Sequence, residues 1–330
     1  MKTLKKVLLI ILGILVIVVA GFYIYVQLSW DKEFDSPYPD ITATYDSVMI
    51  ARGKYLAYGP AHCAECHIPM DKLDELRQGK DIPLSGGWEL PIPPGIFRAP
   101  NLTPDPETGI GNLTDGQIAR ALRYSVNHRN RLIVPFMPFQ DISDQDLSAI
   151  ISFLRSQEPV KNEVKPTEFS FLGKAMIAFG LLKPKGPSKI PPKSVAIDTT
   201  VSYGEYLANS VGNCLFCHTK VSEQTGALLG PHFAGGGKFP ADHFTKGYSF
   251  ISPNLTPDKE TGILALWDEK FFLERFHGGR LHEGSPMPWE LFSRMTDTDL
   301  KALYRYFMSL EPVGNKIEKT VFEPGEELPD

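Results

Sequence analysis

Two five-residue segments, Cys63-Ala64-Glu65-Cys66-His67 and Cys214-Leu215-Phe216-Cys217-His218, take up all four cysteines of the 330-residue chain. Cysteines three positions apart on a short helical turn reach the edge of one flat macrocycle together, and the histidine that follows projects its imidazole toward an iron at the centre. The chemistry served by this spacing is attachment of a haem through two thioether bonds, with the histidine as one axial ligand. Two copies predict two covalently bound haem c groups, held by Cys63, Cys66, Cys214 and Cys217 and ligated by His67 and His218. A redox dithiol needs only Cys-x-x-Cys, so the histidine after each pair counts against it. Structural zinc is the other rival; it wants four tetrahedral ligands, and a histidine adjoining the second cysteine is poorly placed for that.

The motif fixes only one side of each iron. Met137 stands 70 residues after His67 in Val134-Pro135-Phe136-Met137-Pro138-Phe139, and Met287 stands 69 residues after His218 in Gly284-Ser285-Pro286-Met287-Pro288-Trp289. Flanking prolines stiffen the backbone and remove amide donors, which suits a loop that presents a thioether inward beside an aromatic wall. Matched placement makes Met137 and Met287 the candidate distal ligands. Rival ligands are His128 in the first copy and His232, His243, His277 and His282 in the second. His277 stands out because Gly278 and Gly279 permit close approach to a ring edge, but none of these histidines repeats. An iron with His and Met on its two faces exchanges single electrons and presents no open position to a substrate. Arg98, Arg120, Arg123, Arg275 and Arg280 are candidates for propionate pairing or docking.

The elements that must position these groups come twice. Gly53-Lys54-Tyr55-Leu56 returns as Gly204-Glu205-Tyr206-Leu207 at an offset of 151 residues. Asn101-Leu102-Thr103-Pro104-Asp105 returns as Asn254-Leu255-Thr256-Pro257-Asp258, and Glu158-Pro159-Val160 as Glu311-Pro312-Val313. Such self-similarity indicates one duplicated unit. Val48, Ala51, Tyr55 and Leu56 share a helical face, as do Tyr203, Tyr206 and Leu207. Thr114 and Gln117 read as the capping box of a second helix carrying Ile118, Ala121 and Leu122. Ser143 and Thr296 read as N-caps of the last helix in each copy, whose apolar stripes include Leu147 and Ile150, or Leu300 and Leu303. The Asn-Leu-Thr-Pro-Asp stretches read as turn devices that bond locally or to a propionate. Gly235-Gly236-Gly237 reads as an insert in the second copy.

Ahead of the repeat, residues 7–26 form an uncharged apolar run, about the length that crosses a hydrocarbon core of roughly 30 Å as a helix. Lys2, Lys5 and Lys6 precede it and Asp31, Glu33 and Asp35 follow it, which keeps the first residues in the cytoplasm and sends the rest across. A cleaved signal peptide is the alternative, but its apolar region is shorter and ends in a small-x-small site, whereas Gly21 is followed by further apolar and aromatic residues. The expected location is the cytoplasmic membrane, single-pass, with the haem-bearing body on the periplasmic side. A net charge of −5 without a basic run excludes a nucleic-acid partner. The 28 prolines and 28 glycines favour short helices and many turns over a large sheet. The expected organisation is a cytoplasmic tip and anchor (1–30), a tether (31–44), a first domain (45–160), a proline-rich linker (161–200), a second domain (201–313) and a charged tail (314–330). Within the linker, apolar residues 169–182 suggest a strap packed on the two domains. The alternative is a membrane-surface or partner-docking patch edged by Lys174, Lys183 and Lys185.

On the two CxxCH motifs, the Asn-Leu-Thr-Pro-Asp stretches and the paired Met-Pro dipeptides, the chain resembles class I dihaem cytochromes c. It is similar in particular to the membrane-associated cytochrome c subunits of bacterial alcohol, aldehyde and gluconate dehydrogenases. Those subunits typically carry three haem motifs where this chain has two, and the second copy has Leu264-Ala265 where the first has Gly111-Asn112. The resemblance implies a mainly α fold of two tandem class I cytochrome c domains behind an N-terminal transmembrane helix, with distal ligation by Met137 and Met287. It implies single-electron transfer in a respiratory chain. Partners would be a membrane or periplasmic dehydrogenase, a quinol-oxidising complex, a terminal oxidase or a soluble cytochrome. The alternatives are a dihaem enzyme with a displaceable sixth ligand, of the peroxidase or thiosulfate-oxidoreductase type, and a structural haem subunit of a respiratory or dehydrogenase complex.

Overall fold

The computed structural model describes residues 2–222, 226–242 and 244–329. Helix α1 (Lys2–Ser29) is apolar on all sides, with Val26 its one buried residue, and is long and apolar enough to cross a membrane. The chain then runs through α2 (Ser47–Tyr58), a 3-10 turn at Cys63–Glu65, α3 (Leu73–Arg77), strands β1 (Glu89–Ile92) and β2 (Gly95–Arg98), α4 (Asp115–Tyr124), α5 (Asp144–Ser156) and β3 (Glu168–Phe169). After α6 (Phe171–Ala178) a similar series follows. It comprises α7 (Val201–Tyr206), which continues as a π-helical turn over Leu207–Val211, then α8 (Cys214–Cys217), β4 (Lys238–Phe239), β5 (Ser249–Ile251), α9 (Glu269–His277), α10 (Trp289–Phe292), α11 (Asp297–Met308) and β6 (Val321–Phe322).

The fold is mainly helical. Each half also has a small antiparallel sheet, ordered β1-β2-β3 and β4-β5-β6. Strands of two to four residues carry too little alternation to be read from sequence. Their third strands lie beyond Val160 and Val313, so the repeat reaches into the expected linker and into the expected charged tail.

The caps behave as the side chains dictate. Thr114 and Gln117 form the capping box of α4, and the hydroxyls of Ser143 and Thr296 accept from the amides of Asp146 and Asp299 at the starts of α5 and α11. In each half the first helix crosses the last, α2 on α5 and α7 on α11. The crossing points are Gly53 and Gly204; a Cβ on either would fall inside the contact radius of a backbone carbonyl, that of Ala149 or Ala302.

The halves are joined reciprocally. The Tyr55 hydroxyl of the first half donates to Asp299 and accepts from the Thr296 amide at 3.0 Å, at the start of α11 in the second half. The Tyr206 hydroxyl of the second half donates to Asp146 at 2.8 Å and accepts from the Ser143 amide at 3.1 Å, at the start of α5 in the first. Each repeated tyrosine thus completes the helix cap of the opposite half. Each carboxylate has a second partner in its own half: Arg52 holds Asp146 with two bonds of 2.9 and 3.0 Å, and Tyr203 donates to Asp299 at 2.9 Å. One continuous apolar core runs through both halves.

Residues 31–44, expected as a free tether, are bound along the first half. Arg131 pairs with Asp31 at 2.6 Å and Glu33 at 3.2 Å, the Phe34 amide bonds the Asn130 carbonyl at 2.9 Å, and Arg120 lies 4.3 Å over the Tyr38 ring. Ile41 is buried, and the amides of Ala43 and Thr44 bond Asp115 and Ser152. The polar composition that suggested a tether supplies these partners. The 169–182 strap is helix α6 with its flanks, packed on α1 and on the β1–β2 hairpin.

Gly204→Ala, which overpacks the α7–α11 crossing, is expected to cost about 2–3 kcal/mol or more in chemical denaturation. Tyr206→Phe removes a bond to a carboxylate across the halves and is expected to cost about 1.5–3 kcal/mol. Burial, reinforced by the facing carboxylates, pushes the Tyr55, Tyr203 and Tyr206 hydroxyls above their ordinary range. The folded protein therefore keeps protons that the unfolded chain loses near pH 10. Stability present below that pH falls as pH rises, by at most ~1.4 kcal/mol per pH unit for each tyrosine. Denaturant melts from about pH 9 upward check this; Tyr206→Phe should show a shallower fall.

Candidate haem sites

Both motifs sit on a single helical turn that begins after a residue of left-handed backbone, His62 (φ 40°) or Asn213 (φ 56°). The amides of His67 and His218 bond the carbonyls of Cys63 and Cys214 at 3.0 and 2.9 Å, so each histidine shares a turn with its thiol pair. The four thiols are free. Burial pushes the Cys63, Cys66 and Cys214 thiols up to about 12 and that of Cys217 to about 11. Among the described residues no three His, Cys, Asp or Glu side chains converge as a metal site of that kind.

The decisive contact is on the far side of each imidazole. His67 Nδ1 lies 3.0 Å from the Pro100 carbonyl oxygen, and His218 Nδ1 lies 3.2 Å from that of Pro253. A carbonyl only accepts, so Nδ1 carries the proton and Nε2 keeps its lone pair for a metal. Burial holds both imidazoles below their usual range, against a smaller opposing effect of the proline carbonyls. A neutral ring is the ligating form.

Those carbonyls are themselves fixed. Pro100 and Pro253 immediately precede the Asn-Leu-Thr-Pro-Asp stretches, whose bonds are nearly superposable in the two halves. Asn101 Oδ1 accepts from the Thr103 amide and hydroxyl at 2.9 and 2.8 Å, while its Nδ2 donates to the Val160 carbonyl at 2.7 Å. Asn254 does the same with Thr256 at 2.9 and 2.8 Å and with Val313 at 2.8 Å. Asp105 and Asp258 each accept from the amide and hydroxyl of the threonine three residues on. The turn is thereby sewn to the chain leaving the last helix, through Val160 in one half and Val313 in the other.

Gly86, which the sequence reading passed over, and Gly235, which it took for part of an insert, pack against the two sites. Their amides bond the His67 and His218 carbonyls, both at 2.8 Å. Both have φ of 76°. A Cβ on Gly86 would lie 2.5 Å from the Pro100 carbonyl carbon, and one on Gly235 would lie 2.6 Å from that of Pro253. Gly235-Gly236-Gly237 is therefore no insert; Gly235 and Gly236 are the counterparts of Gly86 and Gly87. The missed signal was a Gly-Gly pair repeated at nearly the offset of the haem motifs.

Met137 and Met287 are partly buried against the same core as Cys63 and Cys214. Gln140 holds the Met137 carbonyl at 2.8 Å. The Met287 loop is held by Ser285, whose hydroxyl accepts from Trp289 Nε1 at 3.2 Å, and by Arg280. The rival histidines are placed otherwise. His277 uses both ring nitrogens, on the Ser293 carbonyl and Asp297. His128, His232 and His282 are exposed, and His243 lies outside the described residues. The five candidate arginines have protein partners: Arg98 with Glu89 and Glu168, Arg120 with Asn130, Arg123 with Asp144, Arg275 with the Trp289 ring, and Arg280 with Glu290.

The first site adjoins the seam between the halves. The His62 ring meets Phe292 of the second half edge-on at 5.5 Å. A cavity of about 290 Å³ beside Cys66 is lined by both halves, with Glu65 and Trp88 on one side and Phe239 and Arg280 on the other. In each half, two protonated thiols and a neutral imidazole with Nε2 available form a donor set that fits a haem c. Such a haem, when bound, supplies a reversible one-electron iron couple.

No protein-family model matches the chain. Over 286 residues, 81% of this chain, it is 29% identical to the cytochrome c subunit of the quinone-type alcohol dehydrogenase of Gluconobacter oxydans, covering 56% of that subunit. Over 302 residues, 86% of this chain, it is 26% identical to the corresponding subunit of Gluconacetobacter polyoxogenes, covering 60% of it. A dihaem c-type cytochrome of Cereibacter sphaeroides is 30% identical over 202 residues, 60% of this chain and 64% of that protein. The chain thus spans little more than half the length of the dehydrogenase subunits it matches. It carries two covalently bound haem c groups and is similar to the cytochrome c subunits of quinone-type alcohol dehydrogenases and to a dihaem c-type cytochrome.

Proposed function

We propose that the chain is a membrane-anchored electron-transfer subunit built of two tandem cytochrome c domains, residues 45–160 and 201–313. Cys63 and Cys66 hold one haem and Cys214 and Cys217 the other; His67 with Met137, and His218 with Met287, are the axial pairs. The observation that carries this reading is the matched pair of Nδ1-to-proline-carbonyl contacts, 3.0 and 3.2 Å, which leaves each Nε2 free to ligate. The names of the relatives support a dehydrogenase partner; a quinol-oxidising complex is the alternative on that side, and a terminal oxidase or a soluble cytochrome stands at the other end. Helix α1 serves as the anchor, with the haem-bearing body on the periplasmic side.

The residues divide the work. The cysteines would fix a haem in the fold through thioether bonds, and the imidazole, its Nδ1–H held by the proline carbonyl, would present Nε2 to the iron. The methionine thioether would close the remaining position against water and substrate, and the haem would supply a one-electron couple.

Met137→Ala is expected to remove the methionine signature from one haem in magnetic circular dichroism. It should lower that haem's potential by more than about 100 mV, within the roughly 0.8 V range set by axial ligands, and leave the other unchanged; Met287→Ala should do the converse. Two unaltered spectra would sink the axial assignment, and rapid cyanide binding by the unmodified protein would point to an open site instead. Gly86→Ala, which displaces the Pro100 carbonyl, should weaken the Nδ1 bond and raise the potential of the first haem only.

A further inference from the structure

Helix α6 is set between the two haem-bearing halves in sequence, yet it docks against α1. Its buried side, Gly173 and Ile177, lies on the first half, with Gly173 so close to the Pro94 carbonyl that no Cβ fits. Phe171 stacks on Tyr23 at 5.5 Å between centroids, and Phe179 stacks on Phe22 at 5.8 Å. Phe171 and Phe179 are ~12 Å apart along α6, whereas the rings they meet lie within one turn of α1, less than ~5 Å of its axis. The two helices therefore cross steeply. If α1 runs near the membrane normal, with the usual tilt of about 20°, α6 lies close to the membrane plane.

Its level is set as well. Phe22 and Tyr23 belong to the last turns of the apolar run at 7–26, where hydrocarbon gives way to headgroups and aromatic side chains collect. Away from the protein, α6 and its flank expose Leu172 (50%) and Leu181 (72%), with Phe171 and Phe179 about half exposed beside them. Lys174 lies 4.8 Å over the Trp30 ring, and Lys183 and Lys185 follow on the exposed chain. An apolar face continuous with a membrane-spanning helix and edged by lysines matches the outer leaflet of a bilayer with anionic lipid.

We infer that α6 is an interfacial helix, immersed along Leu172 and Leu181 in the outer leaflet, and that it seats the first half on the membrane. The inference rests on the reading of α1 as an anchor. The segment bound by Arg131 ties the chain leaving α1 to the first half, and β3 ties the chain entering α6 to the β1–β2 hairpin. From Trp30 at the end of α1, Phe169, Phe97 and Phe136 follow ring against ring at 6.0, 5.7 and 5.2 Å, an aromatic path that ends at the residue before Met137.

The test uses the full-length haem-loaded protein in vesicles of phosphatidylethanolamine and phosphatidylglycerol. Nitroxide labels at Leu172→Cys, Leu181→Cys, Val16→Cys in α1 and the exposed Ile190→Cys report collision with oxygen against a water-soluble nickel chelate. The expected result is an oxygen-to-nickel ratio at 172 and 181 severalfold above that at 190 and shifted toward that at 16. Ratios at 172 and 181 equal to that at 190, with 16 in lipid, would overturn the interfacial helix and leave the anchor standing. Water access at 16 as well would overturn both. Shielding of 172 and 181 from both probes would mean a protein partner covers the helix, and would also overturn it.

Discussion

The bond between each motif histidine and the carbonyl of the proline 33 or 35 residues further on is the contact around which each half is arranged. A carbonyl has no proton to give, so the tautomer is decided and Nε2 is the atom left to meet iron. The cost of losing this partner is more than one bond, because an imidazole free to rotate or to change tautomer in a buried site loses its aim. Much of the surrounding structure makes sense as support for that one oxygen. Gly86 and Gly235 press on the proline from one side without a Cβ. The asparagine, threonine and aspartate that follow it tie the turn to the end of the last helix. Neither network contains a group that reacts.

The second constraint is the seam. Two repeated tyrosines reach across and complete the N-terminal caps of the opposite last helices, so neither half is whole at its helix ends without the other. These hydroxyls are buried against carboxylates, an arrangement in which a missing partner leaves a buried charge with too few donors. The symmetry is imperfect. Where Arg52 brings a positive charge to Asp146, the equivalent position is Tyr203 and brings only a hydroxyl to Asp299. A difference of one buried charge between otherwise matched sites is a physical reason for the two haems to differ in potential. The seam also places His62 against Phe292 and leaves a shared cavity beside Cys66, so the first attachment site lies at the junction of the two halves.

Orientation follows from how the body leaves α1. The 31–44 segment is bonded along the first half, and α6 returns from that half to pack on the last turns of α1. Two connections to a single helix restrict rocking far more than one flexible tether would. In an electron carrier this matters, because transfer depends on which edge of which haem meets the partner.

The sequence by itself determined the chemistry. Cys63, Cys66 and His67 with their repeat declare haem because covalent spacing on one helical turn is a local property, and α1 and the capped helices α4, α5 and α11 are legible for the same reason. It also singled out Met137 and Met287 as candidate distal ligands through their repeated place. What only the tertiary structure decided were contacts between residues far apart in the chain: the proline carbonyls behind His67 and His218, the tyrosines that cap the opposite half, and the side of α6 that faces α1. Gly86 and Gly235 show the limit most plainly. A glycine pair carries no local sign of what it must make room for, and Gly235 read as part of an insert until the fold placed it against Pro253. The short strands were illegible because two or three residues hold no period, and the 31–44 tether because a polar segment looks the same whether its partners are water or Arg131.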